Sequence, residues 1–479
     1  MADKPQTTQD FRLVSVMIYK AGSDVRVSPV DGKPINMTNL VDTFNYVESI
    51  TSPCVAATLN IVDSAGLITD LPIQGMETIE IKLVANPDPE EEKLYRFKVW
   101  RLANRVSSNQ KQTYTLGLVS AEAILNETNR VEGIQSGNPE KIVEKMLKEK
   151  LTSSKDFWSE PSAFQVKMVA SRKRPFDVIT DVCVKSVPSG GISAFETSSN
   201  NEQPTIKGSA GFFFWETRRG YNFFSVDALC ATGEDNPFKS DRFQVDEHGV
   251  YEERPANQEN IQPDTQIIET ASFHSEIDLM SSLRTGKYSS LICMFNYSTG
   301  QYEEFPYNIN QTYDNMAHLG GQESVSKIPH SSGDLSEKPT RIMSVLVDHE
   351  SWYNEPGIAS PEDKDGSENP TEFADWQKHY VSQALTRYKL LKNQSGTIVI
   401  PGNSNICAGD RIILKLVNKA PSADIKKFPW DKETSGVYLI EEVTHTYEKN
   451  EGTNGRFRTT VRVMRDSYGM PDEISSHGN

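Results

Sequence analysis

Near the C-terminus runs Ser395-Gly396-Thr397-Ile398-Val399-Ile400-Pro401-Gly402, followed by Ala408-Gly409-Asp410-Arg411-Ile412-Ile413-Leu414-Lys415-Leu416-Val417. Ser435-Gly436-Val437-Tyr438-Leu439-Ile440 and Thr459-Thr460-Val461-Arg462-Val463-Met464-Arg465-Asp466-Ser467 complete the set. These short runs of Val, Ile and Leu, punctuated by Gly, Asn and Pro, predict a meander of antiparallel strands. The pattern has an echo near the N-terminus. Glu77-Thr78-Ile79-Glu80-Ile81-Lys82-Leu83-Val84 follows Gly75 much as Asp410 to Val417 follows Gly409. Each run leads into two strands joined by a polar hairpin. Tyr95 to Val106 is expected to pair with Thr113 to Val119, and Val437 to Tyr447 with Arg456 to Met464. The chain therefore reads as two related small antiparallel β-barrels at opposite ends, a mainly β, α+β fold with an inserted mixed α/β region.

Bulk properties narrow the function. The 479 residues suffice for three or four domains. No apolar run approaches the roughly 20 residues of a membrane span, and the polar N-terminus lacks a signal-peptide core, so no membrane insertion is expected. Cys54, Cys183, Cys230, Cys293 and Cys407 are odd in number, far apart and set in apolar runs, which predicts free thiols in a reducing setting. The net charge of −16 argues against a phosphate-gripping protein. Only Arg172-Lys173-Arg174 stands out as locally basic, and it reads as a solvated edge.

In chain order, residues 1–10 read as a tail and 11–126 as the first barrel, closed by about six strands. Asn138-Pro139-Glu140 is a helix start, with Ile142, Val143, Met146, Leu147 and Leu151 on one face. A second helix follows Arg174-Pro175, with Phe176, Ile179 and Val182 inward and an end at Ser189-Gly190-Gly191. Residues 127–205 thus form an α/β insertion. The aromatic run Phe212 to Val226 predicts a hairpin within 206–232, turning at Arg219-Gly220. Residues 233–353 form a mixed α/β region expected to pack with 127–205. The acid-, Pro- and Gly-rich stretch 354–370 reads as a mobile linker. Phe373, Trp376, Tyr380, Ala384, Tyr388 and Leu391 recur at steps of three and four, an amphipathic helix over 371–392. It leads into the second barrel, 393–470.

Catalytic signatures are absent from the sequence. No G-x-S-x-G, H-E-x-x-H, G-x-x-x-x-G-K or G-x-G-x-x-G occurs, and His445 lies on a predicted strand without a second ligand nearby. The acids Asp88 to Glu92 read as a solvated hairpin tip. No enzyme activity, cofactor or metal is expected. One alternative uses the Phe212 to Phe224 aromatics as a carbohydrate platform with Glu216 and Asp227 as its carboxylates; burial of those rings would remove it.

Several pieces in order form a further pattern. They are Tyr46-Val47-Glu48-Ser49-Ile50, Ile61-Val62-Asp63-Ser64, Leu71 to Glu77, Gly211 to Thr217, Leu279 to Tyr288, Ala408-Gly409-Asp410, Ser435 to Ile440 and Arg465-Asp466-Ser467. Together they resemble the baseplate hub protein of contractile-tailed, T-even-like bacteriophages, a family related by fold to the N-terminal part of type VI secretion spikes. The resemblance spans roughly residues 11–470, with Asp63, Gly75, Glu77, Trp215, Glu216, Gly409, Asp410, Gly436 and Asp466 as its signature positions. It implies a homotrimer whose two barrels per protomer make a pseudo-sixfold ring between a hexameric tail tube and a trimeric central spike. Further implied partners are the tape-measure protein and the surrounding baseplate wedge proteins, with DNA only in transit. The location implied is the virion tail baseplate, assembled in the host bacterial cytoplasm. The aromatic hairpin 206–232 is expected to join the second barrel, and the helix bearing Phe373, Trp376, Tyr380 and Tyr388 to serve the trimer interface. A spike-hub protein of a secretion or contractile injection system is the remaining alternative; no long β-helical repeat follows the second barrel, which disfavours it.

Overall fold

The computed structural model describes residues 11–20, 35–70, 73–108, 111–163, 165–189, 209–231, 247–253, 266–273, 278–296, 300–313, 316–320, 328–347, 375–419, 430–449 and 455–469. The tail 1–10, the linker 354–370 and Phe373 lie outside them. The first strands in chain order are β1 (Phe11–Tyr19), β2 (Ile35–Asn36), β3 (Val41–Ser49), β4 (Ala56–Asp63), β5 (Thr78–Ala85), β6 (Asp88–Ser107) and β7 (Gln112–Val119). The middle contributes β8 (Val131–Gly137), β9 (Phe157–Ser159), β10 (Val166–Lys173), β11 (Phe212–Thr217), β12 (Gly220–Ser225), β13 (Glu247–Glu252), β14 (Thr270–Phe273), β15 (Ser289–Asn296), β16 (Gln301–Asn308) and β17 (Arg341–Val347). The last four are β18 (Gln394–Pro401), β19 (Arg411–Lys415), β20 (Gly436–Glu448) and β21 (Arg456–Arg465).

Both hairpins read from the sequence are present, as β6·β7 and β20·β21. The similarity between the chain's ends extends well beyond them. The first set pairs in the order β3-β4-β7-β6-β5-β1, and the second in the order β14-β18-β21-β20-β19-β13. Even the irregularities coincide. The β6 ladder to β7 slips between Val99 and Arg101, and the β20 ladder to β21 slips between Ile440 and Glu442. Val99 exchanges backbone hydrogen bonds with Met76 and Glu77, as Ile440 does with Gly409 and Asp410. A bulge is a local twist device whose position must match the fold. Two matched bulges therefore mark one architecture used twice. The sets also differ: β1 lies antiparallel to β5 whereas β13 lies parallel to β19, and the β6 ladder slips a second time, between Ala103 and Val106, where the β20 ladder does not.

Among the described residues the ladders close neither set into a barrel, although the isolated bridge of Glu252 with Ile267 links the two ends of the second. A strand has two edges; β4 takes one edge of β3 and β20 takes the other, so neither is left for β1. The two sets thereby fuse into a single 13-stranded sheet among the described residues. Each still wraps its own core. Phe44, Tyr46, Leu59, Ile81, Phe97 and Leu116 fill the first; Ile398, Ile412, Tyr438, Val443 and Val461 fill the second.

Three further expectations need correction. The aromatic hairpin β11·β12 does not join the second strand set; it pairs with β9 in a separate three-stranded sheet. Its turn residues are Arg218 and Arg219, because Gly220 already pairs with Thr217. Strands β13 and β14, assigned by sequence to an outer α/β region, belong instead to the second set. Their shortness and polarity hid them. Finally, the acids of 88–92 are not the hairpin tip, since Ala85 already pairs with Asp88 and the turn falls at Asn86-Pro87.

The insertion carries its helices where the caps indicated. Pro139–Lys145 buries Ile142 and Val143 and continues as a π-turn that buries Met146 and Leu147. Pro175–Lys185 buries Phe176, Ile179 and Val182 but ends four residues before Ser189. The helix Asp375–Leu390 packs inside the protomer over its described face. Ala384 and Leu391 are buried, and Tyr388 donates its hydroxyl to the Phe212 carbonyl at 2.6 Å while packing on Phe213. Tyr388 is thereby anchored to the aromatic hairpin within the chain. Nothing is described of the Trp376 and Tyr380 side chains.

Candidate functional site

The signature residues converge where the two strand sets and the aromatic hairpin meet. Glu48, on β3, is 1% exposed. Its carboxylate accepts the Arg218 amide at 2.6 Å, the Tyr46 hydroxyl at 2.7 Å and the Ala408 amide at 3.0 Å. One carboxylate thus ties the first set, the hairpin turn and the loop before β19. Burial raises its pKa against the lowering effect of these donors.

Beside it, Arg219 grips Asp410 bidentately at 2.9 and 3.0 Å and donates to the Asn405 carbonyl at 2.9 Å. Asp410 also meets His248 Nε2 at 2.8 Å and accepts the Cys407 amide at 3.0 Å. Trp215 donates its indole N–H to the Ala408 carbonyl at 2.9 Å. Its ring covers Gly409, whose φ of +90° and the 2.5 Å from a built Cβ to Cζ2 both require glycine. From the first set, Lys93 reaches Ser404 and Asn405, each at 2.5 Å. Burial, and then the nearby Arg218 charge, lowers the Lys93 pKa to about 8.

A second centre joins the hairpin to the insertion. Glu216, 2% exposed, accepts the Val55 amide at 3.1 Å and the Ser120 hydroxyl at 2.5 Å. Lys155 bridges it at 2.5 Å and Glu122 at 2.7 Å. A third centre locks the helix Asp375–Leu390. Asp466 accepts from Arg387 at 2.7 Å and the Leu319 amide at 3.0 Å, and meets His318 Nδ1 at 2.8 Å. Arg387 lies 3.2 Å from Asp227 and also donates to the Ala317 carbonyl. Burial alone would raise the Asp466 pKa, but the Arg387 charge and the His318 contact hold it well below the carboxylate range.

The remaining signature positions are local. Asp63 accepts the Ala65 and Ile68 amides at 3.0 and 3.2 Å. Glu77 accepts those of Gln74 and Gly75 at 2.8 and 2.9 Å, and Gly75 has φ +102°. Gly436 has φ +144° and lies under Arg465. Glu77 and Asp410 hold equivalent corners of the two sets, each satisfying amides of the loop that precedes its strand.

Chemically this arrangement holds elements together. Two clefts of about 380 and 300 Å³ flank Lys155. Within their linings Glu80 pairs with Arg96, and Lys155 with Glu122 and Glu216. The carbohydrate reading fails on its own criterion: Phe212, Phe214, Trp215, Tyr221, Phe223 and Phe224 are buried, as are Glu216 and Asp227. Among the described residues no group of three His, Cys, Asp or Glu could hold a metal, and no helix is long and apolar enough to cross a membrane. The five cysteines are free thiols, three of them buried.

Sequence reasoning missed Glu48's bridging role, Lys93, Arg219, His248, Arg387 and His318. Their partners lie far away in sequence, so spacing held no signal for them.

No family model matches the chain and no curated protein matches it. Solved structures similar to it include a tail protein from Neisseria meningitidis MC58, at 9% identity and TM-score 0.47, covering 96% of this chain and 100% of that one. A 43 kDa tail protein of a Shewanella oneidensis prophage has 8% identity and TM-score 0.48, covering 94% and 98%. An E. coli protein described as a component of the type VI secretion system, similar in structure to T4 bacteriophage tail proteins, has 12% identity and TM-score 0.41, covering 96% and 78%.

Proposed function

We propose that this chain is a non-enzymatic structural hub of a contractile phage tail baseplate, acting as a homotrimer. The observation that carries the reading is the doubled strand set with matched bulges, joined through β3 and β20. Three protomers with two equivalent sets each offer six quasi-equivalent units. Such a particle meets a hexameric tube on one side and a trimeric spike on the other. The buried centres at Glu48, Asp410 and Asp466 suit this role, because an adaptor that transmits load must keep its modules in fixed register.

In this reading the partners are the tail tube, the central spike, the tape-measure protein and the wedge proteins, with DNA passing through in transit. The site of action is the virion baseplate, with assembly in the host cytoplasm. The test is the mass of the purified protein in solution with a negative-stain image of the same fraction. A particle near three times 53.7 kDa with a central hole supports the hub. A monomer that stays compact when mixed with the purified cognate tube and spike proteins refutes it.

A further inference from the structure

The internal repeat contains one unmatched half. In the second set, β20 runs past its bulge and residues 442–448 pair with β3. In the first set, β6 runs past the matching bulge into residues 101–107, and among the described residues no strand pairs with the edge facing away from β7. The strand that corresponds to β3 is β14. Both pair antiparallel with the equivalent strand, β3 with β4 and β14 with β18. Following the ladders aligns Asn45, opposite Thr58, with Ser272, opposite Thr397. The outer edge of β14 is likewise unpaired among the described residues.

Exposure points to the same missing contact. Val443, the counterpart of Leu102, is 0% exposed beside β3, whereas Leu102 is 37% exposed, and Val106 reaches 63%. Trp100, the counterpart of Glu441, is 55% exposed; at the filled junction the Glu441 carbonyl accepts the Ile50 amide. An open edge that exposes Trp100, Leu102 and Val106 offers a template for another strand.

We infer that β14 of one copy of this chain pairs antiparallel with the outer edge of β6 around Val106 in the next copy, repeating between protomers part of the β3·β20 junction made within each. This rests on the ring reading and assigns its contact. Followed along β7 through the second slip of β6, between Ala103 and Val106, the register of the filled junction, Asn45 opposite Thr446, sets Ser272 of one copy opposite Val106 of the next. The sites are complementary but different, so the contact is head-to-tail and closes only as a ring.

The test is a Val106→Cys/Ser272→Cys double variant of the full chain, oxidised and run without reductant. Directly opposed side chains in an antiparallel pair lie within disulfide reach. Both positions are exposed, so folding should survive substitution. The expected result is a covalent ladder ending at three copies in the double variant and absent from either single variant. A second variant, Val106→Asp, is expected to weaken association at least tenfold with the circular dichroism spectrum unchanged. A ring of the right mass that neither cross-links nor responds to Val106→Asp overturns this pairing and leaves the hub standing. A chain that stays monomeric at the highest concentration and does not cross-link overturns both.

Discussion

Arg219 and Asp410, 191 positions apart, form a bidentate ion pair in which Asp410 is 1% exposed and the Arg219 side chain 16%. The pair fastens the turn of the aromatic hairpin to the corner that starts β19. Removing one partner strands a buried charge, which typically costs about 3–5 kcal/mol. Arg219→Met should lower stability by about 3 kcal/mol in chemical denaturation. His248 and the Cys407 amide remain to Asp410 and limit the loss. The double variant Arg219→Met/Asp410→Asn should recover part of it, and strictly additive losses would show that the pair is not coupled.

Gly409 offers a contrast within one substitution type. Gly409→Ala meets both a left-handed φ of +90° and the Trp215 ring, so a loss above about 2 kcal/mol is expected. Gly66 has a comparable φ of +74° but open space around it, and Gly66→Ala should cost only about 1 kcal/mol. Equal losses, read from thermal melts of the two variants, would remove the steric role given to Trp215.

His445 is buried, with Nε2 3.1 Å from the Ile406 carbonyl and Nδ1 3.1 Å from the Thr459 hydroxyl. Burial lowers its pKa to about 3 from an ordinary 6.5. Because the folded value is depressed, its stabilising contribution is intact above pH 6.5 and is lost as pH falls towards 3. The loss is at most about 5 kcal/mol. His445→Gln should flatten the acid limb of a stability-versus-pH curve, and an unchanged limb would assign acid sensitivity elsewhere.

Glu160 has the opposite sign. It is 2% exposed, accepts the Ser225 amide at 2.9 Å, and burial raises its pKa from 4.5 to about 8. Its contribution is complete below pH 4.5 and declines as pH rises through about 8. Lys93, lowered from 10.5 to about 8, adds a change of opposite sign above pH 8, so the readout is the difference between wild type and Glu160→Gln. That difference should shrink from pH 6 to pH 9 as wild type loses stability. A constant offset would mean that Glu160 is ionised throughout.

The legible part of the fold was whatever repeated locally. Gly409-Asp410 followed by Arg411 to Val417, set against Gly75 and Glu77 to Val84, disclosed the repeat because corner and strand are contiguous. The helices at Pro139 and Pro175 were legible through their first-turn prolines. By contrast, β14 is four residues long and reads Thr-Ala-Ser-Phe, too short and polar for periodicity to detect. The aromatic hairpin was visible as a hairpin, but its partner β9 has only three residues, so the sheet it joins was not. Of the site, Trp215, Glu216, Asp410 and Asp466 came from resemblance. Arg219 and Arg387 needed the fold, because their carboxylate partners are distant in sequence.

The ladder between β3 and β20 also orders events in time. Strand β3 is made early, yet the strand that covers its second edge ends at Glu448 of 479 residues. While the chain leaves the ribosome, that edge has no native partner until β20 has been made. Truncation before β20 leaves the first strand set with an open flank, and truncation before Ala408 also takes that amide from Glu48. Such fragments should stick to one another and be cleared, so only full-length chains would enter assembly.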